Sequence, residues 1–213
     1  MQLALLAGVS QRHLSCVETA RAKASPSTLH ALLSALDVPL EHCNEIFLAA
    51  GFAPRYVASG VNAPTLKMVS DAVEHILQAN NPAPAIVIDS HWNVTAANAS
   101  TGLLLAMVGI DANGLSGLNL LDTLLRPGGL GDHLVNADEI RAIAWQRAAR
   151  EALSNPELAR RLRDMPGPPA VALNTGPTPV VLTRVRSSYG ELNFLSTFTT
   201  FGMPLDITVE SLR

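Results

Sequence analysis

Four polar side chains near the start of the chain have the types and the spacing to form paired hydrogen bonds from one end of a helix. They are Gln11, Arg12, His13 and Ser15. A glutamine amide matches the edge of adenine, and an arginine guanidinium matches guanine or a phosphate. Ser10 precedes the group, where its hydroxyl can cap a helix. The pattern predicts a helix from Ser10 to Glu18 with these groups on or near its outer face.

The surrounding apolar and small residues have the spacing of two helices that cross at a tight turn. They are Ala4, Gly8, Val9, Leu14 and Val17. A small residue allows close crossing, a glycine permits positive φ in the turn, and the other three form the underside of the second helix. This spacing predicts a helix-turn-helix motif that reads DNA. The alternative, on spacing alone, is the corner of an ordinary helical bundle.

A polar loop after this helix adds two basic residues to the group. The candidate DNA-contacting residues are therefore Ser10, Gln11, Arg12, His13, Ser15, Arg21 and Lys23. Residues 1–60 carry four basic and four acidic side chains, so the positive charge is local and the expected binding is sensitive to salt.

Helical spacing continues over 27–36 and 39–50, with Gly51 as a stop signal. We therefore predict an all-α domain over residues 1–52. Residues 53–63 contain proline and glycine and form a predicted linker. The remaining residues, 64–213, form the second predicted domain.

The second domain alternates between helical and strand patterns. Apolar residues recur at helical spacing from Leu66 to Leu77, a hairpin follows over 85–94, and Asn98 begins another helix. Further helices are predicted over 118–125, 138–153 and 156–162, and strands over 179–186 and 191–201. The predicted fold class is α+β, with an all-α first domain and an antiparallel sheet in the second.

Several function classes lack support in the sequence. The six histidines have no metal-ligand spacing, no catalytic motif follows a strand, and Cys16 and Cys43 lack C-x-x-C spacing. No apolar run reaches the length of a membrane span, and the N-terminus has no secretion signal. We expect a cytoplasmic protein that is not an enzyme, has no cofactor or metal and does not bind a membrane.

Four stretches, in their order along the chain, resemble a known family. They are LLAGVSQRHLSCVETARAKASPSTLHALLSALDVP, AIVIDSHWNVTAANAS, NLLDTLLRPGGLGDHLVNADE and ELNFLSTFTTFGMPLDITVESLR. The chain resembles the Xre-type helix-turn-helix regulators of bacterial transcription that carry an MmyB-like ligand-binding domain. The resemblance implies a PAS-like second domain, a homodimer on double-stranded DNA, and a small-molecule effector.

The PAS-like sheet and its covering helices would enclose an apolar cavity, for which a fatty acyl chain is the ligand that the resemblance favours. The candidate ligand-contacting residues are Ile86, Ile88, Trp92, Asn98, Leu103, Met107, Phe194 and Phe198. Ordinary core packing is the alternative for the apolar ones. Trp92 can instead close the hairpin and Asn98 can instead begin a helix.

The chain departs from the family pattern at both ends. The family's DNA-binding domain begins with one further helix before the segment at Met1, and its last domain continues into a closing strand after Leu212 and Arg213. We expect a truncated DNA-binding head and an unclosed sheet. The alternative function is therefore a ligand-binding or dimerisation module that no longer binds DNA.

Overall fold

The computed structural model describes residues 2–59, 64–111, 115, 117–169, 180–202 and 204–213. The chain divides into two compact units. The N-terminal unit contains Met1–Ala63 and Gly202–Glu210, and the C-terminal unit contains Pro64–Phe201 and Ser211–Arg213. The α+β fold class is confirmed. The predicted linker over 53–63 and residues 202–210 of the second predicted domain both fall within the N-terminal unit.

Four short helices form most of the N-terminal unit: α1 (Gln2–Leu6), α2 (Gln11–Glu18), α3 (Pro26–Ala35) and α4 (Leu40–Ala49). Serine hydroxyls cap two of them. Ser10 accepts a hydrogen bond from the His13 amide at 3.2 Å, and Ser25 accepts one from the Thr28 amide at 3.1 Å. Gly8, in the turn between α1 and α2, has φ of +65°, which is the positive angle that the sequence predicts.

Two small apolar clusters hold these helices together. One contains Ala4, Leu14 and Leu32, and the other contains Leu33, Cys43 and Phe47. Burial raises the pKa of the Cys43 thiol, with a further contribution from the charge of Glu210. Cys43 is therefore a neutral, small apolar residue of the core.

The C-terminal unit contains helices and two antiparallel strand pairs. Its helices are α5 (Lys67–Ala79), α6 (Ala99–Met107), α7 (Leu120–Leu125), α8 (Ala137–Glu151) and α9 (Pro156–Arg163). A further helix, α10 (Ile207–Ser211), belongs to the N-terminal unit except for its last residue, which belongs to the C-terminal unit. Its strands are β1 (Ile86–Ile88), β2 (Val94–Ala97), β3 (Leu182–Ser187) and β4 (Gly190–Leu195). Pro64–Leu66 and Leu130–His133 are short 3-10 turns.

One apolar core joins these elements. The most deeply buried large side chains are Trp92, Leu121, Leu158 and Val185. They come from the β1–β2 turn, α7, α9 and β3, respectively. The two strand pairs therefore contribute to the same core, although in the described part of the chain they form two separate two-stranded sheets.

The predicted long strands of the second domain are shorter than expected. The strand predicted over 191–201 is wrong beyond Leu195, because the chain leaves the ladder there and the Phe198 ring lies 3.4 Å from the guanidinium carbon of Arg147. The strand predicted over 179–186 begins at Leu182, and position 179 lies outside the described residues. Arg213 exchanges backbone hydrogen bonds of 2.9 and 3.0 Å with Ile88, which occupies part of the free edge of β1.

Two glycines allow the 3-10 turn at Leu130–His133 to pack tightly on α7. A Cβ atom on Gly131 would overlap the backbone oxygen of Leu124, and one on Gly129 would overlap that of Thr123. Arg141 of α8 stabilises the same junction, because its Nε donates to the Leu124 oxygen at 2.9 Å. This close backbone approach requires a residue without a side chain.

We therefore expect Gly131→Ala to lower the free energy of unfolding by roughly 3 kcal/mol, because the overlapping atom belongs to the backbone and cannot rotate away. Thermal and urea unfolding measure the change. Gly167→Ala is the matched control, since a Cβ atom at Gly167 meets nothing within 4 Å. Equal stability of the two variants would contradict this account of the junction.

Candidate nucleic-acid interface and ligand site

The outer surface of α2 and its following loop carries the predicted DNA-contacting residues. Gln11, Arg12 and Ser15 on α2 are exposed, as are Arg21 and Lys23 in the loop. His13 is half-buried. Ser10 is exposed as well, but its hydroxyl accepts the His13 amide and so has a structural role as a helix cap. Whether these groups contact DNA stays a prediction.

The underside of α2 explains why this set faces outward. Leu14 is buried against Ala4 of α1 and Leu32 of α3, and Val9 packs on the same cluster. The Val9 amide donates to the Ala4 carbonyl at 2.9 Å, which closes the turn around Gly8. Helical periodicity then places Arg12, two positions before Leu14, on the opposite side of α2, with His13 and Ser15 on its two flanks. The two-helix corner predicted from the spacing is present.

The cations of this surface have no anionic neighbour in contact within the part of the chain that the structure describes. Among the described residues, none forms an ion pair with Arg12, Arg21 or Lys23. Fully solvated guanidinium and ammonium groups are available to phosphates without first breaking an internal pair. The surface therefore has local positive charge, although the segment 1–60 as a whole is neutral.

The predicted ligand-contacting residues of the C-terminal unit do not share one surface. Ile88 and Trp92 are 2% exposed and lie in the core, against which Ile86 and Phe194 pack. Met107 is half-buried. Leu103 is 61% exposed on α6, and Phe198 is 53% exposed beyond β4. The structure therefore brings four of the predicted residues together in or against the core, namely Ile86, Ile88, Trp92 and Phe194. Leu103 and Phe198 lie apart from them.

Asn98, another predicted contact residue, is a buried hydrogen-bonding centre. Its Oδ1 accepts from the amides of Ala85 and Thr101 at 3.0 Å each, so it caps α6. Its Nδ2 donates to the carbonyls of Leu77 and Ala83 at 3.2 and 2.8 Å. One carboxamide thus joins the end of α5, the start of β1 and the start of α6. The helix-initiating role that the sequence left open is the one observed.

A second polar centre surrounds Glu151, the last residue of α8. Its Oε2 accepts from the Trp92 indole nitrogen at 2.8 Å, and its Oε1 lies 3.0 Å from Nε of Arg147. Nη1 of Arg213 is 2.6 Å from the same Oε1, at an angle that makes it an ion contact rather than an aligned hydrogen bond. The sequence signal for this site is Trp92 itself, because the N–H group of a tryptophan that becomes buried needs a hydrogen-bond acceptor.

Two adjacent open grooves lie along α8 in the C-terminal unit. Their volumes are about 520 and 440 Å³, and both are shallow and open to solvent. Trp145, Ala149 and Leu153 line both grooves. Leu162 and Met165 extend the first one. None of the eight predicted ligand-contacting residues lines either groove.

Comparison with protein families identifies the larger part of the chain. A family described as the MmyB-like transcription regulator ligand binding domain matches residues 69–213. The chain belongs to this family. The matched residues include all four strands and α6 to α10. A comparison with curated proteins gives no match.

The MmyB-like domain therefore contains both the Glu151 centre and the grooves of α8. This family consists of ligand-binding domains of transcription regulators, which supports a sensing function and a role in transcription. Within the described residues, no group of three or more His, Cys, Asp or Glu side chains is arranged to hold a metal ion. No helix in those residues is long and apolar enough to cross a membrane.

We expect Asn98→Ala to destabilise the MmyB-like domain by about 2–4 kcal/mol. The change removes a helix cap and takes the side-chain donor away from the carbonyls of Leu77 and Ala83 in a partly buried site. Chemical unfolding monitored by tryptophan fluorescence checks this value. Asn80→Ala is a suitable control, because Asn80 is exposed and its amide bonds one carbonyl of its own helix. Unchanged stability together with lost ligand binding would instead assign Asn98 to ligand contact.

Proposed function

We propose that the chain is a bacterial, sequence-specific, DNA-binding transcription regulator of the Xre type, whose MmyB-like domain senses a small apolar ligand. The observation that carries this proposal is the pairing of the exposed set on α2 with a domain whose family serves transcription regulators. Gln11 and Arg12 lie in the first turn of α2, the part of a recognition helix that meets base edges. Arg21 and Lys23 would contact phosphates.

The size of this head favours binding as a homodimer. One short recognition helix contacts few base pairs, and two heads on paired half-sites multiply the specificity. The neutral overall charge of residues 1–60 supports the same conclusion, because non-specific attraction to phosphates is weak for a single copy. The protein would work in the cytoplasm, on DNA.

The ligand that the apolar surfaces fit best is a fatty acid or a similar acyl chain. The grooves of α8 are lined mainly by alanine, leucine and tryptophan side chains, and Arg150 and Arg163 border them. An acyl chain would lie on the apolar walls and its carboxylate would face an arginine. The core residues predicted from the sequence are the second candidate position for the same ligand.

A second function, that of an interaction module without DNA binding, is favoured by one observation. Leu5 and Leu6 of α1 are 83% and 72% exposed. Adjacent exposed leucines in the helix that supports α2 form a patch suited to another protein surface.

Fluorescence anisotropy of the full chain on labelled DNA from its own upstream intergenic region distinguishes the two functions. We expect tighter binding to this DNA than to a scrambled duplex. Arg12→Ala should weaken it at least several-fold, because a base or phosphate contact of about 1–3 kcal/mol is lost. Arg160→Ala, an exposed arginine of α9, should leave it unchanged. Equal affinity for both duplexes at low salt would reject sequence-specific binding and leave the interaction module.

Isothermal titration with dodecanoate tests the ligand and its position. Leu153 is 89% exposed and lines both grooves, so Leu153→Asp places a negative charge in them without disturbing the core. We expect this change to weaken dodecanoate binding at least tenfold. Leu103→Asp, at an exposed residue of the sequence-predicted set, is the control. Weaker binding by Leu103→Asp together with unchanged binding by Leu153→Asp would assign the ligand to the residues predicted from the sequence. Absence of dodecanoate binding by the unchanged chain would reject acyl ligands.

A further inference from the structure

The segment 204–213, which we call the strap, is divided between the two units. Its residues up to Glu210 belong to the N-terminal unit, and Ser211–Arg213 belong to the C-terminal unit. The whole strap lies within the span of the MmyB-like domain family. A segment of the sensing domain's sequence is thus part of the structure of the proposed DNA-binding head.

The first half of the strap is anchored to the linker that follows α4. The Asp206 carboxylate accepts from the Ser59 amide at 3.1 and 3.3 Å, and Thr208 Oγ1 donates to the Ser59 carbonyl at 2.6 Å. The Ile207 amide donates to the Val57 carbonyl at 3.0 Å. Burial of the Asp206 carboxylate opposes its ionisation, but the hydrogen bonds from Ser59 and the neighbouring amides outweigh it and lower the pKa.

The last helical turn of the strap supplies a cap that α4 lacks. Pro39, at the N-cap position of α4, offers no side-chain hydrogen bond. Glu210 Oε2 instead accepts from the Leu40 amide at 2.9 Å. A carboxylate at this position satisfies an unpaired amide and interacts favourably with the positive end of the helix dipole.

The other end of the strap is anchored in the C-terminal unit, which is the sensing unit of the proposed function. The backbone of Arg213 pairs with Ile88 of β1, and its guanidinium contacts Glu151, which holds the buried Trp92. Leu212 is buried in the described structure. Only Ser211 and Leu212 separate the Arg213 anchor from the α4 cap. These two residues make the backbone connection between the two anchors short.

We propose that the strap is the regulatory connection of this protein, which transmits the state of the sensing unit at Ile88 and Glu151 to the N-terminus of α4. A change that loosens Arg213 withdraws Glu210 from Leu40 and frays the first turn of α4. The direction of transmission rests on the proposed function, whereas the connection itself is a property of the free chain. By thermodynamic linkage it acts equally in both directions.

Hydrogen–deuterium exchange of the full chain, without DNA or ligand, tests the connection. We expect Arg213→Ala to accelerate exchange at Leu40–Cys43 several-fold, although Arg213 does not contact these residues. Arg160→Ala is the control, because Arg160 is an exposed arginine of α9 that belongs neither to the strap nor to the Glu151 centre. No acceleration in Arg213→Ala, or an equal acceleration in Arg160→Ala, would overturn the proposal.

The reciprocal experiment starts from the other anchor. Glu210→Ala should accelerate exchange at Leu40 and also at Ile88, whose amide donates to the Arg213 carbonyl. Glu45→Ala, an exposed carboxylate of α4, should affect neither amide. An effect of Glu210→Ala confined to Leu40 would overturn the proposal, since a real connection must be reciprocal. Because DNA is absent, these results are independent of the anisotropy experiment, and either proposal can fail alone.

Discussion

The hydrogen bond between the Trp92 indole and Glu151 is the interaction on which the C-terminal unit depends most. Trp92 is 2% exposed and has φ of +66°, a left-handed conformation that costs a bulky residue about 1–2 kcal/mol. Burial of the ring and the bond to Glu151 offset this cost. Glu151 is itself stabilised by Arg147 and Arg213, so that its charge is compensated where water is scarce. The turn between β1 and β2, the end of α8 and the last residues of the chain are thereby held by one carboxylate.

Asparagine side chains form many of the hydrogen bonds that join separate elements of the C-terminal unit, a role that strand pairing has in a larger sheet. Asn98 joins α5, β1 and α6, as described above. Asn119 caps α7 and donates to the His91 carbonyl. Asn136 pairs with both the Leu182 carbonyl and the Arg184 amide, and Asn155 caps α9 while it donates to the Ser90 carbonyl. A carboxamide has both a donor and an acceptor, so each residue satisfies backbone groups of two elements that do not share a ladder. This explains how two separate two-stranded sheets support one core.

Local signals in the sequence were sufficient for helices such as α2 and α6 and for their caps, whereas α10 was not predicted. Ser10, Asn98 and Gly51 act within one or two turns of their own position, and a helix shows its period over the same short range. The extent of the strand after Glu191 was not predictable in this way, because its alternating pattern continues past the point at which Phe198 turns to Arg147. The predicted ligand residues are divided between the core and exposed positions, and their contact with a ligand stays a prediction. Whether an apolar residue lines a cavity or fills a core depends on distant elements, such as α8 and α9 around Trp145, that periodicity does not place.

The two units differ in how much a small change can affect them. Fourteen buried residues form the core of the C-terminal unit, whereas the described N-terminal unit has two clusters of three. A small core leaves little net stability, so one cap worth about 1 kcal/mol is a larger share of it. A perturbation shared through the strap therefore opens α4 before it opens the core around Trp92. This asymmetry suits a regulator, because the C-terminal unit can keep its fold while α4 of the N-terminal unit becomes more or less ordered.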